Sequence, residues 1–159
     1  VITYTSLLSA CSANQQWAGA LEVLHLMKVR AVHANSVTHN LASAACNAGA
    51  HWLHALLIIA DMQPMGLKPD VSVFNAGISA CEKGHRWEAA VQVLQEMQPL
   101  GLCPDVVSFS AAISATETGH QWEAAVEFIR GMCRSAICPN VVTFSAAISA
   151  CEKGRRWEL

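Results

Sequence analysis

The chain has little charge, no excess of basic residues and no long uninterrupted apolar run. Charged residues fill 14% of its 159 positions, and the balance of acidic and basic residues leaves a formal net charge of -2. This balance argues against a nucleic-acid binder that relies on overall positive charge, so any phosphate contact must be local. A hydrophobic content of 53% also excludes the composition of a disordered chain.

One stretch without charged side chains, residues 31–60, is too often interrupted to span a membrane. It contains Asn35, Asn40, Asn47 and Gly49 together with several histidines. No run within it approaches the ~20 apolar residues that a spanning helix needs. We therefore predict no membrane contact.

Arrangements typical of catalysis or metal binding are also missing. No nucleophile, base and orienting acid recur together, and no glycine-rich phosphate loop is found. Cys103, Cys133 and Cys138 do not follow a zinc-binding spacing, and His51 and His54 have no further ligand nearby in the sequence. The sequence predicts no enzyme, metal or cofactor within these residues.

What the chain does contain is a repeat. The string ISACEKGHRWEAA at residues 78–90 returns as ISATETGHQWEAA and as ISACEKGRRWEL, each time after 35 residues. This period divides the chain without insertions into units 1–35, 36–70, 71–105, 106–140 and a truncated 141–159. A fixed period of this length is typical of a solenoid. Because the chain lacks an initial Met and stops within a unit, we expect it to be part of a longer repeat protein.

Each unit is predicted to form two helices. Phe74, Ile78 and Cys81 form an apolar stripe in the first, at positions 4–13, and Trp87 begins another stripe in the second, at positions 16–28. We expect the first helix to end at a left-handed Gly at position 14, and the second to be ended by the Pro at position 34. Neither helix buries its stripe alone, so the hairpins should stack into an all-α solenoid, with the Trp at position 17 in the core.

Cysteine recurs at position 11, where stacking would place neighbours about 8–10 Å apart. Disulfides need Cα atoms closer than about 7 Å, so we predict buried, reduced thiols. The residues concerned are Cys11, Cys46, Cys81 and Cys151.

The period, the opening VxxY/F and the closing KPDV, CPDV and CPNV resemble the pentatricopeptide repeat family, and residues 106–140 are a near-complete unit. The resemblance covers the whole chain, whereas tetratricopeptide repeats have a different period and Trp placement. It implies a right-handed α-solenoid of stacked helix-turn-helix repeats that binds single-stranded RNA, one base per repeat. Family habit further implies a role in organellar RNA processing, in mitochondria or plastids.

In the family, bases are recognised by position 5 and by the last position of each unit. Asn, Ser and Thr are less favourable than Ala in a helix by several tenths of a kcal/mol, so a functional reason for them is expected. The family code then implies the base order A-U-U-A-purine. The residues are Thr5, Asn40, Asn75, Ser110 and Ser145 at position 5, and Asn35, Asp70, Asp105 and Asn140 at the last position.

A second hypothesis explains the last position by helix capping alone, because Asp and Asn are favoured N-caps. A rival cap at position 3, such as Thr38, Ser108 or Thr143, would instead free the last residue to face a ligand. Both hypotheses stay open at this point.

Two further sets follow from the resemblance. Position 2 corresponds to residues that sandwich bases, although Ser72 departs from the pattern, and position 13 corresponds to basic residues lining the groove. Arg86, Arg155 and Arg156 are expected to add to the local field. The sandwiching set is Ile2, Val37, Val107 and Val142, and the phosphate set is Lys83 and Lys153. Alternative functions are a peptide-binding scaffold, or the RNA-targeting part of a processing enzyme whose catalytic domain lies outside these residues.

Overall fold

Nine helices follow one another in the part of the chain that the computed structural model describes, residues 2–30, 32 and 34–154 without the side chain of Ile2. No strand occurs in this part, and none of its helices combines the length and apolar character needed to cross a bilayer. The first helices of the units are α1 (Ile2–Ala13), α3 (Ser36–Ala48), α5 (Val71–Lys83), α7 (Val106–Thr118) and α9 (Val141–Lys153). The second helices are α2 (Trp17–Val29), α4 (Trp52–Met62), α6 (Trp87–Met97) and α8 (Trp122–Arg134).

From α3 onward, the first helices begin at position 1 of the unit, three residues earlier than predicted. Their N-cap is the last residue of the preceding unit; Asp105, for example, accepts a hydrogen bond from the backbone N–H of Ser108 at 2.9 Å. Such a cap satisfies one of the free N–H groups of the first turn. The rival cap at position 3 is therefore wrong, and the hydroxyl of Thr143 donates instead to the carbonyl of Asn140 at 2.6 Å.

The glycine at position 14 does not adopt the left-handed conformation predicted for it. Gly84 has a φ of -81°, whereas the next residue, His85, has a φ of 55°. His85 and Arg86 donate their backbone N–H groups to the carbonyls of Glu82 and Cys81, as in a Schellman motif. Position 15 is likewise left-handed in three other units, as Gln15, Ala50 and His120.

Glycine is needed at position 14 because the Trp of the preceding unit packs against it. A Cβ on Gly84 would lie 2.6 Å from Cδ1 of Trp52, and a Cβ on Gly154 would lie 2.6 Å from Cδ1 of Trp122, both too close for a real Cβ contact. The Trp residues therefore pack between units, as predicted. This contact sets how closely consecutive units stack.

Proline ends α4 and α6, although not the proline predicted from the sequence. Both helices end two residues before Pro64 and Pro99, which have no N–H to donate. Without a proline at this position, α2 and α8 run two residues further along their units, to Val29 and Arg134. The prolines expected to act as stops lie in the non-helical segments before the next first helix, and they are Pro69, Pro104 and Pro139.

The first helices form one continuous layer. The backbones of consecutive first helices approach each other closely, whereas among the described residues those of consecutive second helices do not. The second helices α2 and α4 meet through side chains, as where the rings of Trp17 and His54 lie 5.2 Å apart. Each second helix packs on the first helix of its own unit and on that of the following unit. Because the first helices pack more closely on one another than the second helices do, their layer is the inner side of the α-solenoid.

The core between the layers also repeats. The Met at position 27 has 0% exposure in each complete unit, and its unbranched side chain suits irregular space between helices. The position-11 cysteines are free thiols, and Cys11, Cys46 and Cys81 are buried as predicted. Burial raises the pKa of Cys46 and Cys81 to about 11, so both thiols are protonated at neutral pH. Cys151 is half-buried.

Candidate nucleic-acid interface

Positions 2, 5, 9 and 12 of a first helix share one face, because they are three or four residues apart. On α7 this face carries Val107, Ser110, Ser114 and Glu117, none of which is fully buried. The corresponding faces of α1, α3, α5 and α9 lie in the same layer of first helices. We call these five faces together the inner stripe; Ile2 is left out of it, because its side chain lies outside the described part.

In two units the side chain at position 5 is hydrogen-bonded to the last residue of the same unit. Asn40 donates through Nδ2 to Oδ2 of Asp70 at 2.8 Å. Asn75 donates through Nδ2 to both carboxylate oxygens of Asp105, at 3.2 and 3.4 Å. The structure thus brings together the partners that the family resemblance pairs, at the edge of the inner stripe where the first helices begin.

At Asp70, capping and pairing use different atoms of the same carboxylate. Oδ1 of Asp70 accepts from the backbone N–H of Val73 at 3.1 Å, while Oδ2 accepts from Asn40. The two hypotheses for the last position are therefore compatible, because a carboxylate has two acceptor oxygens. Asn35 and Asn140 also cap their helices, through the backbone N–H of the third residue that follows.

Asp105 is held in its charged form. Partial desolvation alone would raise the pKa of Asp105, but hydrogen bonds from the backbone N–H of Ser108 and from Asn75 outweigh this effect. The pKa of Asp105 is consequently lowered from the ordinary value of 3.8. A negatively charged acceptor therefore stands beside Asn75 at neutral pH.

Unit four, which has Ser at position 5, is built differently. Ser110 donates its single hydroxyl proton to the carbonyl of Val106 at 2.6 Å, so it has none left for Asn140. Thr5 is half-buried, and Ser145 is exposed. The pairing seen for Asn and Asp is therefore not reproduced by Ser110.

Position 2 presents valine side chains to solvent. Val37, Val107 and Val142 are 55%, 58% and 58% exposed, whereas Val73 at position 3 has 0% exposure. Single exposed apolar residues are common, but these three recur at one repeat position along the inner stripe. Ser72 is exposed and interrupts the row, and the side chain of Ile2 lies outside the described part.

The two predicted phosphate ligands have different electrostatic surroundings. Nζ of Lys153 lies 2.8 Å from Oε1 of Glu117, so its charge is paired. Lys83 donates to the backbone carbonyl of Asn47 at 3.2 Å, and a carbonyl does not neutralise a positive charge. Lys83 therefore keeps more of its field than Lys153.

The acids at position 12 were not identified from the sequence. Glu117 accepts a hydrogen bond from Ser149 of the next unit at 2.7 Å, and Glu82 is hydrogen-bonded to Ser114 in the corresponding way. Burial raises the pKa of Glu82, and the opposing effects of Lys83 and Ser114 do not cancel it. The sequence signal for these hydrogen bonds is a Glu at position 12 of one unit followed by a Ser at position 9 of the next.

Arg86 contributes to packing rather than to the inner stripe. Its guanidinium lies 5.0 Å from the ring centroid of Trp52, which is a cation–π geometry. Arg155 and Arg156, which were expected to act with it, lie outside the described part of the chain. Within that part, no group of three His, Cys, Asp or Glu side chains is arranged to hold a metal ion.

Comparisons with known proteins match this architecture. The profile of the pentatricopeptide repeat domain matches residues 57–118 and 92–153, and the profile of the PPR repeat matches residues 2–32. The comparison with curated protein sequences gives no match.

Solved structures with low sequence identity share the fold. The PPR domain of Arabidopsis thaliana protein-only RNase P 1, in complex with tRNA, is 16% identical with a TM-score of 0.81 over 95% of this chain and 80% of that one. Maize PPR10 in complex with an 18-nt psaJ RNA element is 22% identical with a TM-score of 0.79, over 99% of this chain and 23% of that one. Nuclear proteinaceous RNase P 2 from A. thaliana is 15% identical with a TM-score of 0.85, over 99% of this chain and 36% of that one. With the family profiles matched over most of its residues and the repeated hairpins in place, the chain belongs to the pentatricopeptide repeat family.

Proposed function

We propose that the inner stripe binds single-stranded RNA, one base per unit, in the order A-U-U-A-purine. The observation that carries the proposal is the pair of Asn–Asp contacts at the same place in consecutive units, beside a row of exposed valines. Each pair places an Asn amide next to a carboxylate. Unstacked RNA bases are recognised by such groups along their Watson–Crick edges.

The base order follows from the family code. Asn with a last Asp favours U, which assigns the second and third bases, and Thr or Ser with a last Asn favours A, which assigns the first and fourth. Ser145 leaves only a purine at the fifth base. Two of the similar structures, the PPR domain of RNase P 1 with tRNA and PPR10 with an 18-nt RNA element, are RNA complexes and support the choice of ligand.

Binding should be modest in strength. Stacking of a base on an aromatic side chain is worth about 1–3 kcal/mol, and contacts with the valines of the inner stripe, which should be worth less, must offset the ordering of a flexible strand. Phosphate neutralisation adds little, because Glu117 already pairs with Lys153. We therefore assign most of the salt-dependent term to Lys83.

The test is selection from a random pool of single-stranded RNA, followed by affinity measurements on A-U-U-A-A and on sequences with one base changed. Asn40→Ala should weaken preference at the second base, whereas the matched outer-face control Gln92→Ala should not. A pool without enrichment, or enrichment of duplex RNA, would contradict the proposal. Equal binding of all sequences would favour a scaffold that does not recognise bases.

A second candidate is that the chain forms the RNA-targeting part of a processing enzyme. Two similar structures are RNase P proteins, and one is the PPR domain of its protein bound to tRNA. Incubation of the complete natural protein with RNA containing the selected sequence, followed by mapping of cleaved ends, tests this role. Organellar location stays a prediction, since one of these proteins is described as nuclear.

A further inference from the structure

We infer that the residue at position 3 of the following unit sets how strongly an Asn–Asp unit recognises its base, and that Ser108 weakens recognition of the third base relative to the second. The inference rests on the proposed function, because it concerns the same bases. It adds a specificity-determining residue that lies outside the two positions of the family code.

Units two and three form a natural matched comparison. Both have Asn at position 5 and Asp at the last position, so the family code assigns both the same base. They differ behind the Asn side chain, where position 3 of the following unit is Val73 for unit two and Ser108 for unit three. Both of these residues have 0% exposure, so each acts from a fixed, buried place.

In unit three, the carbonyl oxygen of Asn75 already accepts a hydrogen bond. Oγ of Ser108 lies 2.5 Å from Oδ1 of Asn75 and 3.0 Å from Oδ1 of Asp105. A hydroxyl has only one proton to donate, and the shorter contact marks Asn75 as its acceptor. The amide of Asn75 is thus held by Ser108 at its oxygen and by Asp105 at its nitrogen.

In unit two, the same oxygen has no partner. Oδ1 of Asn40 is buried and accepts no hydrogen bond from the described residues, because Val73 has no hydroxyl to offer. Nδ2 of Asn40 donates one of its two hydrogens to Asp70. A buried carbonyl oxygen without a partner is unfavourable, so a turn of the Asn40 side chain that brings Oδ1 to a ligand N–H gains more than an ordinary exchange with water.

Uracil has the matching groups. Once the Asn40 side chain has turned, the N3–H of uracil can donate to Oδ1, and a neighbouring carbonyl of the base can accept an Nδ2 hydrogen. Cytosine has an acceptor at N3 and can donate to Oδ1 only through its N4 amino group, so it must lie in a shifted position. At Asn75 the N3–H must share Oδ1 with the Ser108 hydroxyl, so discrimination between U and C should be smaller at the third base.

The experiment measures two ratios of dissociation constants, C over U at the second base and C over U at the third, in the A-U-U-A-A background. In the natural protein the ratio at the second base should exceed the ratio at the third base. Ser108→Val should raise the ratio at the third base by about two- to tenfold, the range expected for one hydrogen bond. The reciprocal Val73→Ser should lower the ratio at the second base by a similar factor. In each variant the ratio at the other base is the internal control.

Ser108→Ala removes the hydroxyl without adding volume, so it replaces Ser108→Val if circular dichroism shows that the larger side chain disturbs the fold. A natural protein that prefers U at both bases, with ratios that neither variant changes, would overturn the inference and leave the proposed function standing. A natural protein that prefers U at neither base would overturn both. A merely structural role for Ser108 would change affinity for every sequence alike and leave the ratios unchanged.

Discussion

Replacing Gly84 with Ala tests the Trp–Gly contact that spaces consecutive units. A new Cβ would lie 2.6 Å from Cδ1 and 3.3 Å from Cγ of Trp52. The φ of Gly84, -81°, suits alanine, so the backbone alone would favour the variant by about 0.4–1 kcal/mol. Forcing a methyl group into a packed site is unfavourable by about 1–3 kcal/mol, so we expect a net destabilisation of about 1–2 kcal/mol.

Trp52 cannot relieve the collision by moving freely. Its ring packs against the core of its own unit and that of the next, and the guanidinium of Arg86 lies over it at 5.0 Å. A shift of the ring would therefore disturb two units together. Protein interiors are closely packed, so they transmit such a shift to neighbouring side chains rather than absorb it.

The assay is urea unfolding followed by circular dichroism, in a double-mutant cycle of Gly84→Ala with Trp52→Ala. The destabilisation by Gly84→Ala should largely disappear when the ring is absent, giving a coupling of at least about 0.5 kcal/mol. Gly101→Ala is the control, because Gly101 has a φ of 72° and nothing within 4 Å of its Cβ. Its destabilisation comes from the backbone and should not depend on Trp52. Stabilisation by Gly84→Ala, or a loss that persists without the ring, would refute the packing explanation.

Three further outcomes are expected. Lys83→Ala should reduce the salt slope of RNA binding by about 0.7, and Lys153→Ala should reduce it less. Titrations at several salt concentrations measure the slopes, and equal changes for the two variants would contradict the difference in charge pairing. Asn75→Thr should switch the preference at the third base from U to G, with a mismatch worth about 1–3 kcal/mol and an unchanged salt slope. If affinity measurements show that binding of every sequence is weakened equally, Asn75 has a structural role instead. Burial raises the pKa of Cys81 from 9.0 to about 11, so Cys81 should carry about 100-fold less thiolate than an ordinary thiol. Mass spectrometry should show that Cys81 is alkylated far more slowly than the exposed Cys138, and comparable rates would show that Cys81 is not protected.

The pairing of two helices per unit was predictable because apolar periodicity reports burial. The start of a helix was not, since it depends on where the first N–H groups find acceptors. The apolar stripe of α5 points to a start near Phe74, but the cap at Asp70 begins the helix at Val71. Periodicity therefore placed the helix and missed its first turn.

Glycine at position 14 shows a different limit. A Gly at a helix end is compatible with a left-handed backbone and with close approach by another group, and sequence alone does not separate the two. The negative φ of Gly84 and the nearby ring of Trp52 decide for close approach. Only a contact between units carries this information.

The same limit applies to the inner stripe. The partners Asn40 and Asp70 were predictable, because the family resemblance names both positions. The donor direction of Ser108 and the pairing of Glu117 with Lys153 depend on distances between stacked units. These distances are set by packing in the core and have no counterpart in the sequence of a single unit.

The capping role of the last position explains why it has fewer residue types than position 5. Asp70 and Asp105 each cap a helix, and loss of such a cap destabilises a protein by about 0.5–2 kcal/mol. All four complete units have Asn or Asp there, the residue types that can cap and contact a ligand at once. No helix end depends on position 5, where Asn, Ser and Thr all occur and differ little in helix propensity. Changes of base preference are therefore least damaging to the fold at position 5, and a change at the last position must keep a capping residue.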